Sequence, residues 1–230
     1  MTNQQENGPT SQAETAPLLD AVARAGRDLD LRGAKTFYDR YGRADVMLLT
    51  SRGHICANQS PDGGIEVMIW RSGDLAAWGP AADPRAVASI LGLWKAGADI
   101  ETLSSAATFL EFADEADTGP ETKAIWRWFL DYGNDHLMPL ARSSEAEPAL
   151  RELLPFPSHG SLSLIRGRVA RQTQEISFYR YADSERWRVD FRRHTDRNAP
   201  EALRYHTVDA DDLAQAVALA AEEARSYGER

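Results

Sequence analysis

The chain has 230 residues, a formal net charge of −9 and one cysteine. That length suffices for one large domain or two small ones, each with a sizeable core. The lone Cys56 excludes an internal disulfide and a cysteine-built zinc site, and the acidic balance argues against a general nucleic-acid binder, because duplex binding is dominated by phosphate neutralisation.

Six Trp, seven Tyr and seven Phe mark a folded chain. Only Lys35, Lys95 and Lys123 are lysines, so 23 of the 26 basic residues are arginine. Residues 1–16 carry no aromatic and no basic side chain, cannot bury enough surface to offset the entropy of ordering, and read as a flexible tail. They lack the basic start and apolar run of a secretory signal, and no stretch is apolar for long enough to span a membrane. With a single cysteine, the cytoplasm is the expected compartment.

Leu18, Val22, Ala25 and Leu29 recur at helical spacing and predict a helix over residues 17–31, with Thr15 as N-cap. Three short strands are expected next. Residues 45–50 are apolar on both faces; Ile65, Val67 and Ile69 alternate with Glu66, Met68 and Trp70 after the turn at residues 60–64; and residues 75–78 follow Gly73. Asp83-Pro84 is a strong helix start, with Val87, Ile90, Leu91 and Trp94 as the buried stripe and Gly97 as the stop. A second helix carries Ile100, Leu103, Ala107 and Leu110.

The middle is helical. Gly119-Pro120 opens a helix with Ile125, Trp126, Phe129 and Leu130 on one face, and a shorter helix over residues 148–154 stops at Pro155-Phe156-Pro157. Strands are then expected over residues 161–165 and 176–181, at Trp187, Val189 and Phe191, and at Leu203, Tyr205 and Thr207. Asp209 or Asp211 caps a closing helix with Leu213, Val217, Ala220 and Ala224.

The pattern predicts an α+β fold: two strand-then-helix halves with antiparallel sheets, joined by a helical middle segment. The divisions are a tail at 1–16, an N-terminal half at 17–118, a helical connector at 119–154 and a C-terminal meander plus helix at 155–230. Residues 83–94 and 211–221 are alike in pattern, which raises an internal duplication.

Three features are candidates for function. In the rigid loop at residues 155–160, Ser158 and His159 stand between two prolines and Gly160; His titrates near neutrality and suits acid–base work, while the plainer role of such a loop is capping and anchoring. Between residues 166 and 204 there are ten Arg and six acids. Arg186, Arg188, Asp190 and Arg192 alternate with Trp187, Val189 and Phe191 and form the charged outer face of one strand, with Arg180 nearby; such an arginine row grips carboxylates or phosphates, or simply keeps a sheet face solvated. Trp78, beside Gly79-Pro80, and Trp128, pointing away from Ile125 and Phe129, are candidates for an interface. The five histidines (54, 136, 159, 194 and 206) have no metal-ligand spacing, and neither metal nor cofactor is expected.

Four pieces occur in order: Trp78-Gly79-Pro80 ahead of the Asp83 helix, Leu93-Trp94-Lys95-Ala96-Gly97, Trp126-Arg127-Trp128, and Leu150-Arg151-Glu152-Leu153-Leu154-Pro155-Phe156-Pro157-Ser158-His159-Gly160-Ser161-Leu162. Through them, over residues 44–224, the chain resembles an uncharacterised bacterial family labelled natural product biosynthesis proteins, a domain of unknown function. The resemblance implies a setting, accessory or tailoring work in specialised-metabolite assembly, and carries over no catalytic residue or ligand. Three roles follow: a protein that binds an acidic peptide or a pathway enzyme through its sheet, a small tailoring enzyme using His159, or an immunity or chaperone-like binding protein.

Overall fold

The computed structural model describes residues 17–39, 42–60, 62–71, 73–114, 118–133, 135–158, 161–167, 174–182, 184–194 and 203–228. Thr15 and the tail expected at 1–16 lie outside them. Among the described residues, seven helices and two antiparallel sheets make the fold α+β, as the sequence pattern predicts.

Sheet 1 has six strands in chain order: β1 (Lys35–Asp39), β2 (Gly42–Thr50), β3 (Gly53–Gln59), β4 (Ile65–Arg71), β5 (Asp74–Ala81) and β6 (Glu111–Phe112). The first helix, α1, is Pro17–Ala25, shorter than the predicted span. After Gly26, Leu29 still packs on the core from the following turn, which kept the helical spacing alive in the sequence.

Three expected strands here are in fact six. β1, β3 and β6 escaped because their polar residues interrupt the alternation, β3 through His54, Asn58 and Gln59. Asn58 is buried in compensation: its side-chain oxygen accepts from the Asp45 backbone N–H at 2.7 Å. The β2–β3 hairpin turns through Gly53 at φ +137°, where an added Cβ would collide with the Trp70 carbonyl oxygen.

Helix α2 (Pro84–Lys95) starts as predicted: Asp83 accepts from the Ala86 N–H at 2.8 Å, and Pro84 occupies the first turn. Val87, Ile90, Leu91 and Trp94 are its buried stripe, and Gly97 at φ +95° ends it. Together α1, α2 and α3 (Ile100–Ala106) cover one face of sheet 1 through Val46, Leu48, Ile55, Val67 and Ile69.

The opposite face of sheet 1 meets α4 (Gly119–Tyr132). Met68, Leu75 and Trp78 pack on Ala124 and Ile125, while Met47 and Cys56 pack on Trp128. The far side of the same helix, with Trp126 and Phe129, enters the core of sheet 2, and the Trp126 indole N–H donates to the Leu153 carbonyl at 2.9 Å. α4 is therefore a layer shared by both sheets, and its aromatic residues point both ways.

α5 (Met138–Ala146) and α6 (Pro148–Arg151) lead into sheet 2, whose strands run β11-β10-β9-β8-β7. These are β7 (Leu154–Ser158), β8 (Ser161–Arg166), β9 (Gln174–Arg180), β10 (Trp187–His194) and β11 (Leu203–Ala210). The expected Pro-Phe-Pro loop is instead β7, paired with β8 from Leu154↔Ile165 to Ser158↔Ser161. Proline is tolerated there because β7 is an edge strand with no neighbour on its far side among the described residues.

The closing helix, α7 (Leu213–Gly228), is capped by Asp212, which accepts from the Gln215 N–H at 2.8 Å, and not by Asp209 or Asp211. Its Ala216, Ala220, Ala221 and Ala224 are small enough to lie close on Phe178, Val189 and Phe191. No helix among the described residues is long and apolar enough to cross a membrane.

Candidate functional site

The helix-free face of sheet 2 is set by the alternation along β10. Trp187, Val189 and Phe191 point into the helical core, so Arg188, Asp190 and Arg192 point the other way. Register then assembles three rows across the sheet: Arg188 lies between Tyr179 and Asp209, Asp190 between Ser177 and Thr207, and Arg192 between Glu175 and Tyr205.

Arg188 is locked. Its Nε and Nη2 donate to the two Asp190 carboxylate oxygens at 2.7 and 2.9 Å, and Nη2 also reaches the Tyr205 hydroxyl at 2.8 Å. The Thr207 hydroxyl adds a 2.9 Å bond to Asp190. Asp190 is 2% exposed. Burial pushes its carboxyl up, but the bonds from Arg188, Thr207 and Tyr205 outweigh burial and hold it below the usual carboxylate range. The bonds to Asp190 and Tyr205 in turn raise Arg188 further above the ordinary guanidinium value.

The neighbouring arginines are held loosely. Arg192 reaches Glu175 at 3.4 Å and Arg186 reaches Asp209 at 3.5 Å, both at the long end of an ion pair. Glu175 also anchors a serine pair beneath the face: its Oε1 accepts from Ser163 at 3.1 Å and Ser177 at 2.9 Å, and the two hydroxyls lie 2.7 Å apart.

Over this polar floor stand three tyrosines, Tyr179, Tyr181 and Tyr205, exposed by 37, 41 and 48%. Each carries a guanidinium over its ring: Arg188 above Tyr179 at 5.7 Å, Arg186 above Tyr181 at 5.7 Å and Arg192 above Tyr205 at 5.8 Å. The Tyr181 hydroxyl donates to Asp209 at 2.8 Å, a bond that raises its pKa. The three tyrosines, with Arg180, Arg188, Asp190 and Arg192, line a cavity of about 370 Å³. No described helix packs on this face.

The structure brings Arg186, Arg188 and Arg192 onto one face. Arg180, between Tyr179 and Tyr181 in the alternation, leaves that row and pairs with Glu185 at 2.8 Å and the Ser184 carbonyl at 3.2 Å. The tryptophans lie elsewhere. Trp78 is 7% exposed between sheet 1 and α4, and Trp128 packs on Met47 and Cys56 and edge-on against Tyr132 at 4.9 Å. His159 lies outside the described residues, and Ser158 is placed only as the last residue of β7, with its side chain outside them too.

Sequence reading placed Asp190 on the arginine face but missed the tyrosines, Glu175 and Asp209. The Tyr-Arg-Tyr alternation at residues 179–181, read at strand period two, would have put both tyrosines on the Arg188 side. What the face can do is chemically clear: Tyr–Arg pairs offer flat apolar area and bidentate donors, while the acids leave the arginine charges largely compensated. No group of three or more His, Cys, Asp or Glu is placed to hold a metal ion among the described residues.

Residues 122–224, from α4 into α7, match the model of a family of unknown function (DUF6193). That stretch contains the whole of sheet 2, α5 and α6, and most of α4 and α7. No curated protein and no solved structure matches the chain.

Proposed function

We propose that this protein is an accessory binding protein that holds an acidic peptide segment or a partner enzyme on the Arg–Tyr face of sheet 2, in the specialised-metabolite setting its family resemblance implies. The supporting observation is the set of three exposed tyrosines, each under a guanidinium, on a helix-free sheet face. Tyrosine and arginine are the side chains that most often carry interface energy. Here they are already ordered by ring stacking and ion pairs, so little side-chain entropy remains to be lost on binding.

The geometry divides the labour. Arg188, closed on buried Asp190, is structural. Arg186 and Arg192, on long contacts, can exchange Asp209 and Glu175 for carboxylates of the partner. Because the face is internally compensated, affinity comes from stacking and short-range bonds more than from long-range attraction.

Calorimetric titration with the peptides and enzymes encoded beside this gene tests the reading. Tyr205→Ala and the double variant Arg186→Ala, Arg192→Ala should each weaken the interaction by about tenfold or more, the loss of at least about 1.4 kcal/mol. Full affinity in both variants rejects the face as the binding site.

A further inference from the structure

The four sheet edges are not alike. A free edge strand invites another chain to pair with it, and proteins blunt such edges with prolines, bulges, lysines or extreme shortness. Three edges here are blunted. β1 carries Lys35 and a register shift between Lys35 and Phe37, β6 is two residues long, and β7 has Pro155 and Pro157, which remove two N–H donors.

β11 has none of these devices. It pairs with β10 without a break from Trp187↔Ala210 to His194↔Leu203, contains neither proline nor lysine, and exposes Tyr205, His206 and Thr207 in succession. No described strand pairs with its outer side.

From this we infer that β11 is a dimerisation edge, pairing antiparallel with β11 of a second copy about a two-fold axis through Thr207. Sheet alternation allows only registers that set same-face residues opposite one another. Centred on Thr207, the register places Tyr205 of one copy opposite Asp209 of the other, His206 opposite Val208, Arg204 opposite Ala210 and Thr207 opposite its own equivalent. No like charges face each other, and a central Thr–Thr pair is a favourable cross-strand contact. Centring on His206 instead would oppose two histidines and set Leu203 against Asp209.

A second copy is favoured over an open-ended assembly because a single unguarded edge among the described strands can only form a closed, isologous pair. The axis stands perpendicular to the sheet, so both Arg–Tyr faces end on the same side of a continuous ten-stranded sheet, five strands from each copy. Two binding faces side by side would act bivalently on a repetitive partner. The inference stands on the edges alone and does not depend on what the face binds.

Light scattering on the full chain after size exclusion, across a range of concentrations, measures the outcome. The expected mass is twice 25.5 kDa, halving in Thr207→Arg, which opposes two like charges on the axis. His206→Pro and Thr207→Pro give a second test: alternation points the N–H of only one of the two residues outward, and that variant should be a monomer that melts cooperatively. A wild-type mass of one chain at every concentration overturns the inference, as does a dimer that persists in Thr207→Arg and in the proline variants that fold.

Discussion

Sheet 1 is covered by helices on both faces, whereas sheet 2 is covered on one and presents arginine and tyrosine on the other. Both are antiparallel meanders followed by a helix capped by aspartate, Asp83 for α2 and Asp212 for α7. The difference lies in the second residue of each alternating pair. In β4, Val67 and Ile69 face one layer while Met68 and Trp70 face another, so both sides of the strand are apolar. In β10, the residues between Trp187, Val189 and Phe191 are Arg188 and Asp190, and no layer can settle on them without stripping water from charge. A sheet of the same topology thus becomes scaffold or surface according to one residue in two.

The comparison breaks most severely at α4, the layer both sheets share. Trp126→Ala should cost about 3–5 kcal/mol by emptying a buried aromatic site, and chemical denaturation should show the sheet 2 core losing cooperativity first. A smaller loss is expected on the polar floor. Asp190→Ala should destabilise by about 1–3 kcal/mol at neutral pH. Because the Asp190 pKa is depressed in the folded protein, its contribution is present above the ordinary carboxylate value and lost as pH falls through the folded one. The gap between wild type and variant should therefore narrow below about pH 4; a constant gap would mean that packing, and not charge, accounts for the effect.

On the exposed layer, Tyr179→Ala should leave the midpoint within about 0.5 kcal/mol of wild type, which separates recognition side chains from structural ones. The smallest effect belongs to sheet 1. His54, stacked near Trp70 at 6.0 Å, has its pKa lowered by burial. As pH falls through about 6.5 the unfolded chain takes up the proton first, so stability declines. His54→Phe should flatten that slope in thermal melts between about pH 7 and 5; an unchanged slope would assign it to other groups.

Much of the architecture was legible along the chain. The Asp83-Pro84 start, the apolar stripe of α2 and the split faces of β10 are local signals, fixed by caps and by period two. Where reading failed, another part of the fold had overruled local chemistry. Pro155 and Pro157 look like loop formers, but an edge position makes them strand residues. β3 looks too polar for a buried strand until Asn58 is seen to bind the Asp45 backbone. The arginine row was legible as a row, with Asp190 on the same strand face, yet its partners from elsewhere in the chain were not: Glu175, Asp209 and the three tyrosines reach it only through the register of the neighbouring strands.

By itself, then, the sequence determined the fold class, the Asp83 cap and which residues of β10 face outward, because these follow from spacing within a few residues of chain. Tertiary structure alone decided that Arg188 is locked on Asp190 while Arg186 and Arg192 are held loosely, that each carries a tyrosine beneath it, and that β11 is the one described edge left unguarded. Those properties depend on which strands become neighbours and in what register, and that is settled by the packing of distant segments around a common core.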